Sequence, residues 1–431
     1  MAVPAPTTRR DFLRGRPIAE VVNDLNSDTT DVARSAIGTA TRPGATSTSL
    51  VSVRRRAMAC QFEIILPADT PMATEAAIDA LDEIDRLEDQ MTVYRDTSEI
   101  SRINLLASLT PVPVEERLFE LFETALRLSD ETNGAFDMAA GALVKAWGFF
   151  RGPKRVPPPH ELAQVLERVG SRHVVLDWQR RTIEFRRPGV ELNLGAIGKG
   201  YALDRATERL QRDWNVTSGI LHGGQSSVLA IGSPGGEKGV GSLLCEAPSG
   251  PSRQKTPDSF LSDGWLVAIA HPTRSNEQVA QVLLRDAALG TSGATIQYFE
   301  SNGRRFGHIL DPRTGWPAAT EKGTGPICAK HPPGRSGKLD LSPFPPLDGH
   351  ACVSVIAPTA AQADALSTAF FILGIDAARH YCDQRPEIGA IVVACPCENE
   401  MVEVNLFGCA KHLVQLTASQ NSQPSTLNPQ P

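Results

Sequence analysis

The chain has 431 residues, 41% hydrophobic and 21% charged, an ordinary balance for a globular protein with room for a large core and two or three domains. A formal net charge of −6 with no basic stripe argues against a nucleic-acid partner. No apolar run approaches the roughly 20 residues of a membrane helix, so no stable membrane span is expected.

Residues 1–50 are rich in Thr, Ser, Ala, Pro and Arg without a sustained period, and read as a disordered leader. Within it, Thr8-Arg9-Arg10-Asp11-Phe12-Leu13 looks like a twin-arginine export signal. Arg14, Arg16, Asn23, Asp24, Asn26 and Asp28 occupy the place of the apolar segment that such a signal needs. The protein is expected in the periplasm if this leader functions and in the cytoplasm otherwise. The eight cysteines are scattered and read as buried thiols, which fits a reducing compartment. Only Cys395 and Cys397 are close, at a spacing too tight for the common zinc patterns.

A strand is expected over residues 61–66. Ala77, Leu81, Ile84, Leu87 and Met91 then recur at helical spacing, and Leu118, Leu121, Phe122, Ala125 and Leu128 mark a second helix. Residues 174–176 and 182–185 read as a hairpin, and residues 200–213 as a helix with Ala202, Ala206 and Leu210 aligned. Strands predominate from 219 to 270, around a polar excursion at 235–263. Another long excursion spans roughly 315–349. A final unit runs strand (352–357), helix (360–373, ended by Gly374), helix (376–383) and strand (388–394). The tail, 414–431, is Ser-, Gln- and Pro-rich and reads as disordered.

Several segments carry chemical content. Phe306 to Gly315 places His308, Asp311 and Arg313 within six residues, at a buried strand end followed by a turn that Pro312 and Gly315 force. It presents reacting groups or it is a strand–turn with a satisfied histidine and a capping aspartate. Thr132 to Asp137 offers a Gly134-Ala135 pair that a ligand can approach closely, or a helix C-cap at Gly134 followed by a buried aromatic. Leu192 to Tyr201 runs from a strand through glycines into a helix, so backbone amides, the helix N-terminus and Lys199 suit a phosphate. Its spacing is neither a Walker A nor a dinucleotide fingerprint. Gly223-Gly224-Gln225 is a backbone-exposed turn. Asp364 and Thr368, four apart, share a helix face and suit a hard cation such as Mg²⁺. The alternative is an aspartate compensating the helix dipole, with the Thr368 methyl packed inward.

Taken together and in this order, these blocks resemble the ApbE family of flavin transferases. The matching residues are Met58-Ala59-Cys60, Tyr94 to Asn104, Gly134 to Asp137 ahead of Trp147-Gly148-Phe149, and Asn193 to Tyr201. Gly223-Gly224-Gln225, Thr291-Ser292-Gly293, His308 to Gly315 and Ala363 to Thr368 follow. The resemblance implies an α+β, T-fold-like architecture, with mixed β-sheets, helices packed outside and a flavin cleft between lobes. The family-like domain would span 51–413, with insertions near 235–263 and 318–349. It implies Mg²⁺-dependent transfer of FMN from FAD to a Thr or Ser hydroxyl of an acceptor protein, such as a redox-complex subunit, with release of AMP. A pyrophosphatase giving FMN and AMP, or a non-catalytic FAD-binding protein, are the alternatives. By the resemblance, Met58, Tyr94, Ala135, Phe136, Asp137, Lys199, His308 and Ile309 would line the FAD site. The Ala196 carbonyl, Asp364 and Thr368 would hold Mg²⁺, and His308 would accept the proton of the acceptor hydroxyl. Asn193 and Gln225 stand where the family usually has aspartates, and Ala294-Thr295 where an Asp-Tyr pair often follows Thr-Ser-Gly.

Overall fold

A computed structural model describes residues 31–35, 49–234, 264–272, 274, 277–293, 298–318, 320–322, 350–394 and 402–417. The export-signal reading of residues 8–13, the Cys395–Cys397 pair, Ala294-Thr295 and most of both expected insertions lie outside these residues.

The scaffold is a nine-stranded sheet in the order Asp31–Ser35, Leu50–Ala57, Cys60–Pro67, Gly219–Gly223, Ser227–Ile231, Ala287–Gly293, His350–Ala357, Gly389–Ala394 and Glu403–Gly408. Its ladders are antiparallel. The first strand lies inside the segment read as a leader.

Period-two side-chain alternation gives the sheet two apolar faces. Phe62, Ile64, Leu221, Leu229, Val353, Val355 and Val392 point to one, where the helices Ala73–Met91, Glu116–Glu131, Gly198–Trp214 and Ala360–Leu373 cover them. Ile65, Ile220, Val228, Ile356 and Val393 point to the other. A three-stranded sheet of Val414–Leu416, Gln278–Leu284 and Trp265–Ala270 closes over that face with Trp265, Val267, Val279 and Val282. The result is the expected α+β architecture. The apolar residues that marked the two early helices are all buried on the elements Ala73–Met91 and Glu116–Glu131.

A smaller cluster stands apart. Trp147, Leu162, Val165, Phe306 and Leu310 bury one another, with Trp316 and Phe299 packed against them. It anchors the segment that carries His308. The expected hairpin is present as Val174–Asp177 with Thr182–Phe185. Among the described residues no helix is long and apolar enough to cross a membrane.

Candidate active site

The site grows from two helix N-termini that meet over the sheet. One helix, Gly198–Trp214, follows the bend at 193–197. There the Asn193 side chain accepts Gly195 N–H at 2.9 Å, and Leu194 C=O accepts Gly198 N–H at 2.7 Å. An asparagine carbonyl closes this turn as a carboxylate would, so Asn193 keeps the bend despite the lost charge. The other helix, Ala360–Leu373, starts at Thr359, whose hydroxyl accepts Gln362 N–H at 3.2 Å.

Glycine lets the two helices touch. A Cβ on Gly200 would sit 2.0 Å from the Ala360 carbonyl oxygen, and a Cβ on Gly290, in the strand beneath, 2.4 Å from the Ala363 carbonyl carbon. This contact brings Asp364 onto the 193–200 bend. Asp364 is 5% exposed, and its Oδ2 accepts Gly200 N–H at 2.8 Å while its Oδ1 accepts the Ser227 hydroxyl at 2.7 Å. Lys199 Nζ stands 3.9 Å from Oδ2. Burial pushes the Asp364 carboxyl above the usual carboxylate range, with Lys199, Ser227 and Gly200 pulling the other way.

Beside it lies a hydroxyl cluster. Ser292 Oγ is 2.9 Å from Ser367 Oγ and 3.1 Å from Thr368 Oγ1, and Thr368 Oγ1 also donates to the Asp364 carbonyl at 3.3 Å. Thr368 therefore turns its oxygen inward, toward the strand Ala287–Gly293. One buried carboxylate with hydroxyls and carbonyls is a hard-oxygen donor set, which fits Mg²⁺ rather than a thiolate- or imidazole-loving ion. Among the described residues no group of three or more His, Cys, Asp or Glu gathers.

Met58 and Ala59 form the tight turn between the first long hairpin strands, both at positive φ (48° and 60°). Glu88 fixes that turn by accepting Met58 N–H at 2.8 Å. The turn delivers Cys60 into the field of Lys199, Glu88 and Asp364, and burial raises its thiol pKa.

The turn that follows His308 is tied down by side-chain and backbone bonds. After the strand Arg304–Gly307, Asp311 accepts Arg313 at both oxygens, Nε–Oδ1 at 2.9 Å and Nη2–Oδ2 at 2.8 Å. Gly315 N–H closes the turn on Asp311 C=O at 2.8 Å, and Trp147 Nε1 donates to Gly315 C=O at 2.8 Å. Asp311 and Arg313 satisfy each other as turn-builders. Ile309 is buried in the main core.

The Gly134 segment is the helix C-cap that its sequence allows. Asn133 and Gly134 take positive φ, and Gly134 N–H caps the helix Glu116–Glu131 on Ser129 C=O at 2.7 Å. The same Gly134 lies beside Arg313, whose Cγ a Cβ would meet at 3.7 Å. Ala135 and Phe136 bury their side chains in the core, so they can offer a ligand only backbone. Asp137 accepts Ser129 Oγ, Ala139 N–H, and both N–H and Oγ of Ser171 at 2.7–3.1 Å, an internal junction. Tyr94 is 55% exposed and stacks on Phe150 with ring centroids 4.8 Å apart. Gln225 is exposed at the turn after Gly224. Contacts therefore link Lys199, Asp364 and Thr368, while Gly134 lies beside Arg313 and Tyr94 stands on Phe150. Ser227, Ser292, Ser367 and Asp204 were not among the expected site residues.

Comparison with known proteins follows the same lines. A model of the ApbE family matches residues 58–324 and 340–392. The chain is 29% identical over 324 residues to the FAD:protein FMN transferase of Treponema pallidum, covering 73% of this chain and 76% of that protein. It is 28% identical over 297 residues to the FAD:protein FMN transferase of Haemophilus influenzae, covering 67% and 70%. The crystal structure of the ApbE protein from Thermotoga maritima superposes with a TM-score of 0.63 at 25% identity, over 82% of this chain and 96% of that one. The flavin transferase ApbE from Vibrio cholerae shares the fold, with a TM-score of 0.64 at 20% identity over 85% and 99%.

Proposed function

This chain belongs to the ApbE family, and from that premise we propose that it transfers FMN from FAD to a Thr or Ser hydroxyl of an acceptor protein, releasing AMP. The observation that carries the reading is the buried Asp364 carboxylate held against the Lys199–Gly200 bend, 2.8 Å from Gly200 N and 3.9 Å from Lys199 Nζ. Two segments far apart in sequence converge there on one oxygen-lined spot beside a lysine and a helix N-terminus, as binding of a dinucleotide's phosphates requires.

Asp364, Thr368 and the Ala196 carbonyl would hold Mg²⁺, which when bound neutralises charge on the phosphate oxygens. Lys199 adds a second positive charge on the same side. Tyr94 offers an exposed ring on which a flavin or adenine can stack, and the Met58 turn would line the same site. The acceptor oxygen bonds to the FMN phosphorus, the pyrophosphate P–O bond breaks, and AMP leaves with the bridging oxygen. His308, just ahead of the Asp311–Gly315 turn, takes the hydroxyl proton as general base.

The test is direct. Pure protein is incubated with FAD, Mg²⁺ and an acceptor peptide carrying Ser and Thr hydroxyls, the peptide is weighed, and nucleotides are separated by chromatography. A peptide gaining FMN, with equimolar AMP, is the expected result. FMN and AMP appearing with the peptide unmodified would replace transfer by hydrolysis, and FAD persisting unchanged would leave a binding protein.

A further inference from the structure

The two helices of the site exchange caps. Gly200 N–H donates to Asp364 Oδ2 at 2.8 Å. One turn further along the same helix, Asp204 accepts Ala360 N–H at 2.7 Å on Oδ1 and Ala361 N–H at 2.9 Å on Oδ2. Asp364 in turn lies one turn beyond Ala360. Residue 200 meets residue 360 backbone to backbone, and each helix start is capped by the aspartate one turn inside the other. The first N–H groups of a helix lack partners within it, and a carboxylate there also gains from the helix dipole.

The two aspartates divide the work. Asp364 also takes the Ser227 hydroxyl and faces Lys199. Asp204 commits each oxygen to one N–H of the facing helix. The helix's own cap, Thr359, reaches Gln362 N–H at 3.2 Å and leaves Ala360 and Ala361 to Asp204. Beyond the first turn, Ala363, Leu366, Ala369 and Phe370 are buried in the core and hold the body of the helix. What Asp204 controls is therefore the first turn, and Asp364 is the residue that follows it.

We propose that Asp204 is a positioning residue for the metal-holding face: by clamping Ala360 and Ala361 to the Lys199 helix, it fixes where Asp364 and Thr368 stand relative to Lys199 and the 193–200 bend. This rests on Asp364 and Thr368 as Mg²⁺ ligands, as argued above. Losing the clamp frees the first turn to fray, so ion binding must then re-order it, and the cost appears in Mg²⁺ affinity.

The experiment compares wild-type protein with Asp204→Asn and Asp204→Ala, each loaded with FAD. The Mg²⁺ concentration that gives half of the metal-induced rise in Tm is measured, and so is the Mg²⁺ dependence of FMN transfer. Asp204→Asn should raise both midpoints about tenfold, the size of a lost cap bond, with FAD affinity and kcat at saturating Mg²⁺ within about twofold of wild type. Should Asp204→Ala fail to fold, the isosteric Asp204→Asn carries the test. Asp79→Asn is the structural control. It removes the carboxylate that accepts Arg209 Nε at 2.6 Å from the far part of the same helix, and should lower Tm without moving the Mg²⁺ midpoint. An unchanged midpoint in Asp204→Asn, or an equal shift in Asp79→Asn, overturns the proposal alone. A wild-type protein that shows no Mg²⁺ response in either measurement overturns the metal reading and this proposal with it.

Discussion

Gly200→Ala sets two effects of opposite sign against each other. Helix propensity alone favours alanine over glycine by about 1 kcal/mol. Against it, the new Cβ would lie 2.0 Å from the Ala360 carbonyl oxygen, 2.3 Å from its carbon and 2.6 Å from Ala361 N. All three are backbone atoms of a helix start clamped by Asp204, so no side chain can swing aside. Restoring ordinary contact, about 3.4 Å, requires the helices to part by about 1.4 Å (3.4 − 2.0). Overpacking of this kind costs about 1–3 kcal/mol. The same movement draws Gly200 N–H away from Asp364, and a buried carboxylate short of a donor costs about 1–3 kcal/mol more. The net expectation is a loss of about 3 kcal/mol in urea unfolding, together with loss of FMN transfer. Gly198→Ala is the internal control: its Cβ would meet Leu194 Cβ at 3.6 Å and Met91 Cε at 3.8 Å, ordinary contacts in the same helix. It should stay within about 1 kcal/mol of wild type. A Gly200→Ala protein as stable as wild type and still active would refute the backbone contact as the joint of the site.

Three further outcomes are expected. Ala59→Gly should stabilise by about 1 kcal/mol, because Ala59 holds φ +60° in an exposed two-residue turn where glycine carries no steric penalty; thermal unfolding checks it, and no gain would mean that the hairpin imposes no strain there. His308→Ala should abolish FMN transfer while the protein still binds FAD, read by flavin fluorescence titration; a fully active variant removes the histidine as proton acceptor. His222 is half-buried opposite Glu63, and burial lowers its pKa below 6.5, with Glu63 opposing and Arg54 adding to the shift. A depressed histidine contributes stability that is present above pH 6.5 and lost as the pH falls through the folded-state value. Unfolding free energy should therefore drop below pH 6.5, and His222→Gln should flatten that slope; identical slopes would exclude His222 as its source.

Much of the scaffold is legible because periodicity reports burial. The spacing of Ala77, Leu81, Ile84, Leu87 and Met91 has one physical cause, a helix with one face on the sheet, and all five are buried. The strand Ala287–Gly293 escapes the same reasoning. Its sequence, Ala-Ala-Leu-Gly-Thr-Ser-Gly, shows no apolar alternation. A central strand with helix backbone pressed onto Gly290 needs small residues where an exposed-face strand would show polar ones. Composition cannot distinguish that from a loop.

The site divides in the same way. Asp364 and Thr368 are legible because four-residue spacing places them on one helix face, and the Pro312–Gly315 turn is legible because each residue has a local backbone reason to be there. Asp311 and Arg313 look equally reactive in sequence, and only the geometry of their paired bonds assigns them to building the turn. Ser227 and Asp204 carry no local signal at all. Their bonds reach across 137 residues to Asp364 and 156 residues to Ala360, and serines after a glycine turn, or an aspartate inside a charged helix, read as solvated surface. What selects them is the meeting of two helix starts, which requires Gly200 on one helix and small residues on the other. The cue that could have found Asp204 is therefore indirect. Gly200 early in a helix and Ala360-Ala361 at the start of another mark two places where backbones can touch, and a carboxylate one turn beyond each is placed to cap the other.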